Sequence, residues 1–317
     1  MEIFQIIKRN DVKSGKNGKI TIVGGGLSGP VMAMYLSEKG YRVDIYERRP
    51  DMRKTNISAG RSINLAVSKR GITALEEIGV FHKISSKLIP MYGRIIHDID
   101  GSTRFLPYGR PDQYINSVSR SELNILLMTE AEKTDRIRIL FQHSCSGMDL
   151  ESGTVFITNE VNGDQVTIQG TPVIAADGSG SAVRESMIES GHISGSFDPL
   201  GHSYKELTIP PDKSDEFQLE PNALHIWPRG KFMLIALPNM DRSFTVTLFL
   251  PNTGDISFST VRSLDDLNSL FEKNFPDILK LMPSLQTDYF SNPTGKLGTV
   301  RCSQWNVDES VLIGDAA

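Results

Sequence analysis

The sequence predicts an α/β fold, α+β overall, in which a Rossmann-type nucleotide-binding domain is joined to a domain built on an antiparallel sheet. A buried apolar strand at residues 20–23 runs directly into the glycines of "GGGLSG". A second strand, "YRVDIYE", follows the next helix. Strand-like runs joined by short turns occupy residues 200–250. A parallel β-α-β unit followed by an antiparallel meander indicates two domains.

The glycine motif at residues 24–29 has the pattern G-x-G-x-x-G between a strand and a helix that stops at Gly40. Such glycines allow a tight turn, a close approach of the backbone to a pyrophosphate and close packing of the helix on the strand. The residues that we expect to bind a dinucleotide here are Gly24, Gly26, Leu27, Ser28 and Gly29. The motif alone leaves NAD, NADP and FAD open.

The second strand ends in Glu47, which lies 18 residues after Gly29. This is close to the spacing of a carboxylate that binds a ribose hydroxyl in β-α-β nucleotide sites. Arg48 and Arg49 follow at once, and arginines at this place can accept a 2′-phosphate instead. Because the carboxylate would face that phosphate, the pattern favours FAD or NAD over NADP.

Composition excludes several other classes of protein. The 38 acidic and 34 basic residues give a net charge of −4 without a basic block, so we expect no nucleic-acid partner. Two widely separated cysteines suit a reducing compartment, and we expect the cytoplasm. The first residues, "MEIFQIIKRNDVKSGKNGK", have an acid at position 2 and only a short apolar patch, so we expect no signal peptide there. The sequence has no run of about 18 uninterrupted apolar residues, so we expect no membrane span within it. The six histidines show no metal-binding spacing, so we expect no metal site.

Two further motifs come directly after predicted strands. "VIAADGSG" places Asp177 and a glycine after one strand, and "VLIGDAA" places Asp315 after another. Taken singly, each is an ordinary junction of a strand and a turn.

Together with the glycine motif, their order resembles the single-component FAD-dependent aromatic hydroxylases, which have the fold of para-hydroxybenzoate-hydroxylase-like flavoproteins. The resemblance implies that residues 24–29 hold the ADP half of FAD. It implies that Asp177 lies near FAD and the incoming NADPH, and that Asp315 holds the ribityl chain. The sequence contains no second G-x-G-x-x-G, so NADPH is expected to bind transiently, without a Rossmann domain of its own.

Four longer stretches resemble the kynurenine 3-monooxygenases, of the bacterial type: residues 60–71, 89–109, 207–211 and 223–251. The resemblance covers nearly the whole chain. It implies that L-kynurenine is hydroxylated to 3-hydroxykynurenine with NADPH and O₂ by way of a flavin hydroperoxide, in the pathway of tryptophan degradation that leads to NAD. Because the flavin does this chemistry, we name no catalytic acid or base.

A hairpin is predicted between residues 89 and 109, with Asp100-Gly101-Ser102 as its three-residue loop. In this register Asp98 faces Arg104 and Arg94 lies directly opposite Tyr108, whereas a two-residue loop would put the last two on opposite faces. A guanidinium and a phenol can bind one carboxylate together. The resemblance implies that Arg94 and Tyr108 hold the amino-acid carboxylate of kynurenine.

The resemblance carries over to other positions as well. It places Arg120 near the flavin and Arg48 near the adenosine. It also places four apolar residues in the roof of the substrate pocket, although each is explained equally well as sheet core: Leu224, Ile226, Leu234 and Phe249.

We predict a discontinuous FAD-binding domain at residues 1–88, 110–192 and 290–317, and a substrate domain at residues 89–109 and 193–289. The sequence stops two residues after Asp315, where a helix facing the phosphate is expected. We therefore expect a longer parent protein, whose tail could carry a membrane anchor, and we expect residues 1–317 to bind FAD weakly or not at all. The oligomeric state is not predicted.

Rival interpretations remain open. A related FAD monooxygenase or oxidase acting on another aromatic acid has the same motifs. A disulfide reductase is disfavoured because C-x-x-C and a second nucleotide motif are missing. A non-enzymatic escort protein of a similar fold, such as those of prenylation, would act as a binding module, would not need the pair Arg94 and Tyr108, and would not consume NADPH.

Overall fold

The computed structural model describes residues 18–54, 64–169 and 172–317. Residues 60–63, the first part of one stretch that carries the family resemblance, lie outside the described residues. All predicted site residues lie within them.

The strands of the described residues are numbered in chain order. They are β1 (Lys19–Val23), β2 (Arg42–Glu47), β3 (Asn64–Val67), β4 (Ile89–Met91), β5 (Gly93–His97), β6 (Thr103–Pro107), β7 (Ile115–Ser119), β8 (Ile137–Phe141), β9 (His143–Asp149), β10 (Thr154–Asn159), β11 (Gln165–Ile168), β12 (Val173–Ala175), β13 (Gly195–Ile209), β14 (Ala223–Arg229), β15 (Phe232–Pro238), β16 (Phe244–Pro251), β17 (Thr294–Cys302), β18 (Asn306–Val307) and β19 (Ser310–Leu312).

The α-helices are numbered in the same way. They are α1 (Ser28–Glu38), α2 (Lys69–Glu77), α3 (Phe81–Ile84), α4 (Arg120–Ala131), α5 (Ala182–Glu189), α6 (Leu264–Asn274), α7 (Pro276–Leu279) and α8 (Leu285–Ser291). Single 3₁₀ turns occur at Ser85–Lys87 and Gly314–Ala316.

A six-stranded sheet in the order β18-β19-β12-β1-β2-β8 forms the nucleotide-binding part of the fold. Its strands run parallel except for the short pair β18–β19. Helices α1 and α4 cover one face, where their apolar side chains pack on those of β1 and β2. The prediction of a Rossmann-type domain is therefore confirmed. The parallel strands end together, so the three predicted motifs meet at one edge of the sheet.

A seven-stranded sheet in the order β17-β13-β16-β15-β14-β5-β6 forms the second large layer. All its neighbouring strands are antiparallel except β14 and β5, which confirms the predicted meander. Residues from helices α6, α7 and α8 pack on one face in a core that contains the fully buried Trp227, Phe244 and Phe271. The opposite face is only partly covered.

Two three-stranded sheets complete the fold, with the orders β11-β10-β9 and β3-β7-β4. The division into two domains stays a prediction. Strand β17 follows the predicted boundary at residue 290, yet it pairs with β13 in the seven-stranded sheet. Strand β4 follows the boundary at residue 88 and pairs with β7.

The β5–β6 hairpin corrects the predicted register by two residues. Arg94 pairs with Leu106, and the loop is Ile99–Gly101 rather than residues 100–102. The N–H of Asp98 donates to the carbonyl of Ser102 at 2.9 Å, and Gly101 has φ +85°. A three-residue loop is most stable when its third residue adopts this left-handed conformation, which glycine adopts readily. The prediction had the right loop length but placed the glycine second.

Candidate FAD site and the adjoining sheet face

A cavity of about 670 Å³ lies at the carboxyl ends of β1, β2 and β12. Every residue predicted to bind the cofactor lines it, with the exception of Gly29. They are Gly24, Gly26, Leu27, Ser28, Glu47, Arg48, Arg120, Asp177 and Asp315. The structure thus brings together residues from five separate segments of the sequence. Which of them touch a bound cofactor stays a prediction.

The glycine turn explains why Gly29 matters although it does not line the cavity. A Cβ at Gly29 would lie 2.0 Å from the carbonyl oxygen of Gly24. A Cβ at Gly24, which has φ +103°, would lie 2.3 Å from the carbonyl oxygen of Ala176. At Gly26 a Cβ would meet no atom within 4 Å. Gly24 and Gly29 therefore allow the turn to form, whereas Gly26 leaves open space in the cavity.

Glu47 is buried at the end of β2 and binds the glycine turn. Its Oε2 accepts the N–H of Gly25 at 2.8 Å, and its Oε1 accepts the N–H and the Nε of Arg49 at 2.9 and 2.8 Å. Burial alone would raise the pKa of Glu47, but the hydrogen bonds and charge of Arg49 and the N–H of Gly25 bring this pKa below its usual value. The carboxylate is therefore ionised and rigidly placed.

The two arginines that follow Glu47 have different surroundings. Arg49 forms an ion pair with Glu47 through Nε and Nη2. Arg48 lines the same cavity next to this pair. A 2′-phosphate near Glu47 would therefore meet a carboxylate, which disfavours NADP as the resident nucleotide.

Asp177 lies after β12 on the other side of the glycine turn. Its Oδ2 accepts the N–H of Ala182 at 2.9 Å, while its buried Oδ1 has no hydrogen-bond partner among the described residues. Burial raises the pKa of Asp177, and hydrogen bonds from Ser181 and from backbone N–H groups offset this only in part. An orphaned buried acceptor in a cavity is a place where a ligand can donate a hydrogen bond.

Cys145 on β9 lines the same cavity, and no pattern in the sequence pointed to it. Burial raises the pKa of its thiol to about 11, and the negative charge of Asp177 adds to this. Both described cysteines are free thiols.

Arg184 links the second and third motifs, which lie far apart in the sequence. This residue of α5 is buried, and its guanidinium donates to the carbonyls of Ala316, at 3.3 Å, and of Ser179. Asp315, which directly precedes Ala316, lines the cavity and an adjoining one of about 760 Å³. One buried side chain therefore holds the two loops together.

Arg120 and Asn124 reach the site from helix α4. The helix begins where the hydroxyl of Ser119 accepts the N–H of Glu122, and this places Arg120 in its first turn, facing the cavity. The amide of Asn124 donates to the carbonyls of Gly25 and Gly26. The signal that we missed is a buried polar residue between the apolar Leu123 and Leu127 on the same helix.

On the seven-stranded sheet, Arg94 and Tyr108 lie together despite the corrected register. A shift of two residues keeps both side chains on one face. The guanidinium carbon of Arg94 lies 5.0 Å from the centre of the Tyr108 ring. Burial raises the pKa of Tyr108, and the charge of Arg94 partly opposes this. The tyrosine is therefore a neutral phenol beside an exposed cation.

Three of the four predicted apolar pocket residues share the face of Arg94. Leu224 is its parallel-strand neighbour, and Ile226 and Phe249 lie on the same side by alternation along the strands. Leu234 does not, and the prediction that groups it with the others is wrong. It pairs with Trp227 and is fully buried in the core beneath the helices.

The residue that takes the place of Leu234 on this face is Ile235. It pairs with Ile226 and is half-buried. Leu234 and Ile235 are neighbouring aliphatic residues of similar size, so their chemistry does not predict which one faces the core. Only the cross-strand register decides which one faces outward.

The cavity suits an extended dinucleotide in its chemistry. It combines a turn whose backbone a pyrophosphate can approach, an ionised carboxylate, three arginines and an orphaned acceptor. Helix α1 starts at the glycine turn without a side-chain cap, so its first N–H groups are available to an anion. A family model described as "FAD binding domain" matches residues 18–253.

The chain belongs to this FAD-binding family. FAD is therefore its cofactor. Its fold is that of the flavin-dependent aromatic hydroxylases, with which the solved structures described below superpose.

The chain is similar over most of its length to kynurenine 3-monooxygenases. A kynurenine 3-monooxygenase of Myxococcus xanthus (strain DK1622) is 42% identical over 308 residues, which are 96% of this chain and 66% of the relative. The enzyme of that name from Dictyostelium discoideum is 43% identical over 303 residues, 95% of this chain and 65% of the relative. The chain thus spans slightly less than two thirds of the length of these relatives.

Solved structures share the fold. The tetrameric form of 2-methyl-3-hydroxypyridine-5-carboxylic acid oxygenase superposes with a TM-score of 0.74 at 19% identity, covering 96% of this chain and 76% of that one. The p-nitrophenol 4-monooxygenase of Pseudomonas putida superposes with a TM-score of 0.71 at 16% identity, covering 95% and 73%.

The described residues contain neither a membrane-spanning helix nor a group of metal ligands. Within residues 18–54, 64–169 and 172–317, no helix has the length and apolar character to cross a bilayer. In those ranges no three His, Cys, Asp or Glu side chains are grouped as metal ligands.

Proposed function

We propose that the protein containing this chain hydroxylates L-kynurenine at ring carbon 3, with NADPH and O₂ as co-substrates. The observation that carries the proposal is the identity of about 42% with curated kynurenine 3-monooxygenases over some 95% of the chain. The contact of Arg94 with Tyr108 supports it, because a carboxylate-bearing substrate needs such donors.

The FAD-binding residues have distinct proposed roles. The N–H groups of the glycine turn bind the pyrophosphate, Glu47 binds the ribose and Arg48 lies along the adenosine. Asp177, Arg120 and Asp315 bind the flavin half. Bound FAD supplies the redox and oxygen-activating chemistry. The protein groups orient the cofactor and provide charge complementarity.

The substrate has its own set of proposed contacts. Arg94 and Tyr108 hold its carboxylate, while Leu224, Ile226 and Phe249 pack on its apolar part. These apolar side chains also exclude water from the ring. The substrate domain is proposed at residues 89–109 and 193–289, and the FAD domain at residues 1–88, 110–192 and 290–317.

A second candidate is hydroxylation of another aromatic acid. Arg94 would bind any carboxylate, so its geometry alone does not select kynurenine. The free state of the two cysteines supports a reducing compartment, and we propose the cytoplasm.

The test is NADPH oxidation by the purified full-length protein with and without L-kynurenine, together with product detection. The proposal expects oxidation that L-kynurenine stimulates and formation of 3-hydroxykynurenine. Stimulation without that product would mean that kynurenine is an effector. If L-kynurenine has no effect on NADPH oxidation, the proposal is wrong, and other aromatic acids and the non-enzymatic alternative are tested next.

A further inference from the structure

Asn124 contacts the glycine turn from a helix that lies almost one hundred residues further along the chain. Its Nδ2 donates to the carbonyl oxygen of Gly25 at 3.1 Å and to that of Gly26 at 2.9 Å. Its side chain is buried, with 4% of the residue exposed. One amide group therefore binds two consecutive peptide carbonyls and uses both of its hydrogens.

The orientation of these two peptides follows from their geometry. In a planar trans peptide, the carbonyl of one residue and the N–H of the next point in opposite directions. With the carbonyls of Gly25 and Gly26 directed at Asn124, the N–H groups of Gly26 and Leu27 point away from it. Gly26 and Leu27 both line the 670 Å³ cavity. The two N–H groups are thus directed to the cavity side.

The preceding peptide is held by a different side chain, that of Glu47. The N–H of Gly25 donates to Glu47 Oε2 at 2.8 Å, so that this donor is already used. Glycine residues have no rotational preference that would fix these planes by themselves. Glu47 and Asn124 together therefore determine which N–H groups of the turn remain for an anion.

We propose that Asn124 is a positioning residue that presets the Gly26 and Leu27 N–H groups for the pyrophosphate of FAD. The inference rests on the proposed binding of the pyrophosphate at this turn. Asn124 itself is not among the residues that line the cavity. Its contribution is that the turn pays no reorganisation cost when the dinucleotide binds.

A purely structural role is the alternative. Asn124 joins α4 to the turn. In a purely structural role, its loss would lower the stability of the protein and would weaken the binding of ligands with and without a pyrophosphate equally. The two roles differ in which ligand fragments are affected. ADP contains the pyrophosphate, whereas adenosine has the same base and ribose without it.

The experiment compares the wild-type full-length protein, stripped of flavin, with Asn124→Leu. Leucine has a similar volume and no hydrogen-bond donor. FAD, ADP and adenosine are titrated separately by calorimetry, and FAD also by quenching of flavin fluorescence. We expect the affinity for FAD and for ADP to fall at least about tenfold, or about 1.4 kcal/mol, and that for adenosine to change less than about twofold.

Asn274→Leu is the matched control. Asn274 is also buried in a helix, where its Nδ2 donates to the carbonyl of Leu270 in the other core. This variant should lose stability and keep the affinity for ADP. If Asn124→Leu does not fold, Asn124→Ala serves instead, because water can enter the space that the smaller side chain leaves and bind the two carbonyls.

Hydrogen exchange of the flavin-free protein gives a second readout. The amides of Gly26 and Leu27 should gain protection from ADP in the wild type and much less in the Asn124 variant. Equal losses for ADP and adenosine, or unchanged binding of both, would overturn the inference and leave the FAD site intact. A wild-type protein that binds neither FAD nor ADP would overturn the proposed site and the inference together.

Discussion

The guanidinium of Arg94 lies over the ring of Tyr108, 5.0 Å from its centre, on the exposed face of the seven-stranded sheet. Arg94 belongs to strand β5, and Tyr108 directly follows strand β6 of the same hairpin. Since its donors point away from the helix-covered core, the pair is available to a substrate carboxylate.

Replacing Arg94 by alanine should raise the KM for L-kynurenine at least about tenfold, because a charged hydrogen bond to a carboxylate is lost. The flavin content should stay unchanged. Steady-state kinetics and flavin absorbance measure both. Arg104→Ala is the control, since Arg104 pairs with Asp98 on the same hairpin at 3.2 Å. An unaltered kynurenine affinity in Arg94→Ala would contradict the proposed substrate.

The glycines of the nucleotide turn should respond differently to alanine. Gly24→Ala places a Cβ 2.3 Å from the carbonyl oxygen of Ala176 at φ +103°, so we expect more than about 1 kcal/mol of lost stability. Gly26→Ala meets no protein atom within 4 Å. Its methyl group should instead obstruct the cavity and weaken FAD binding at nearly unchanged stability.

Thermal unfolding of the flavin-free variants and FAD titration separate these two effects. The prediction fails if Gly26→Ala destabilises the protein as much as Gly24→Ala does.

Two buried histidines, His97 on β5 and His225 on β14, should make the free energy of unfolding depend on pH. His97 Nε2 lies 2.8 Å from His225 Nδ1, its ring stacks on Trp227 at 3.9 Å between centres, and its Nδ1 lies 3.4 Å from Asp277 Oδ2. Burial, chiefly, and the charge of His225 lower the pKa of His97 to about 4, although Asp277 opposes this and Arg229 adds to it. Burial also lowers the pKa of His225.

Because the unfolded chain binds a proton on His97 near pH 6.5 and the folded chain does not until about pH 4, the unfolded state gains protons first as the pH falls. The free energy of unfolding should therefore decrease between about pH 6.5 and pH 4, by about 2 kcal/mol. Urea unfolding at several pH values measures this. His97→Phe should flatten the profile, whereas a variant of the exposed His192 should leave it unchanged.

Cys145 offers a chemical test of the cavity. With a thiol pKa of about 11, its alkylation by iodoacetamide should be slow at pH 8 and should still accelerate between pH 9 and pH 10. FAD should protect it, since the side chain lines the cavity. Mass spectrometry of the labelled peptide gives the rate, and Cys145→Ser provides the blank. Labelling that FAD does not slow would argue against cofactor binding beside β9.

Much of the nucleotide site could be predicted because its signals are local. The glycine turn, Glu47 at the end of the next strand and the aspartates after β12 and β19 are each defined by a strand and the few residues that follow it. Parallel strands then bring their carboxyl ends to one edge, so these residues meet without further information.

The β5–β6 hairpin shows where local reasoning ends. Its loop length follows from the sequence, but the register follows from Gly101 in the left-handed position. Arg94 and Tyr108 were grouped correctly since an even shift conserves the face. Leu234 was misplaced because neighbouring apolar residues on one strand look alike, and only pairing with Trp227 turns it inward.

By itself, the sequence determined the Rossmann-type unit, its FAD motifs and the candidate carboxylate-binding pair, because backbone conformation and side-chain chemistry set these within short segments. Only the tertiary structure decided that Asn124 orients the glycine turn, that Arg184 joins two loops and that Ile235 replaces Leu234 on the exposed face. These depend on hydrogen bonds and strand register between distant segments, which no local pattern encodes.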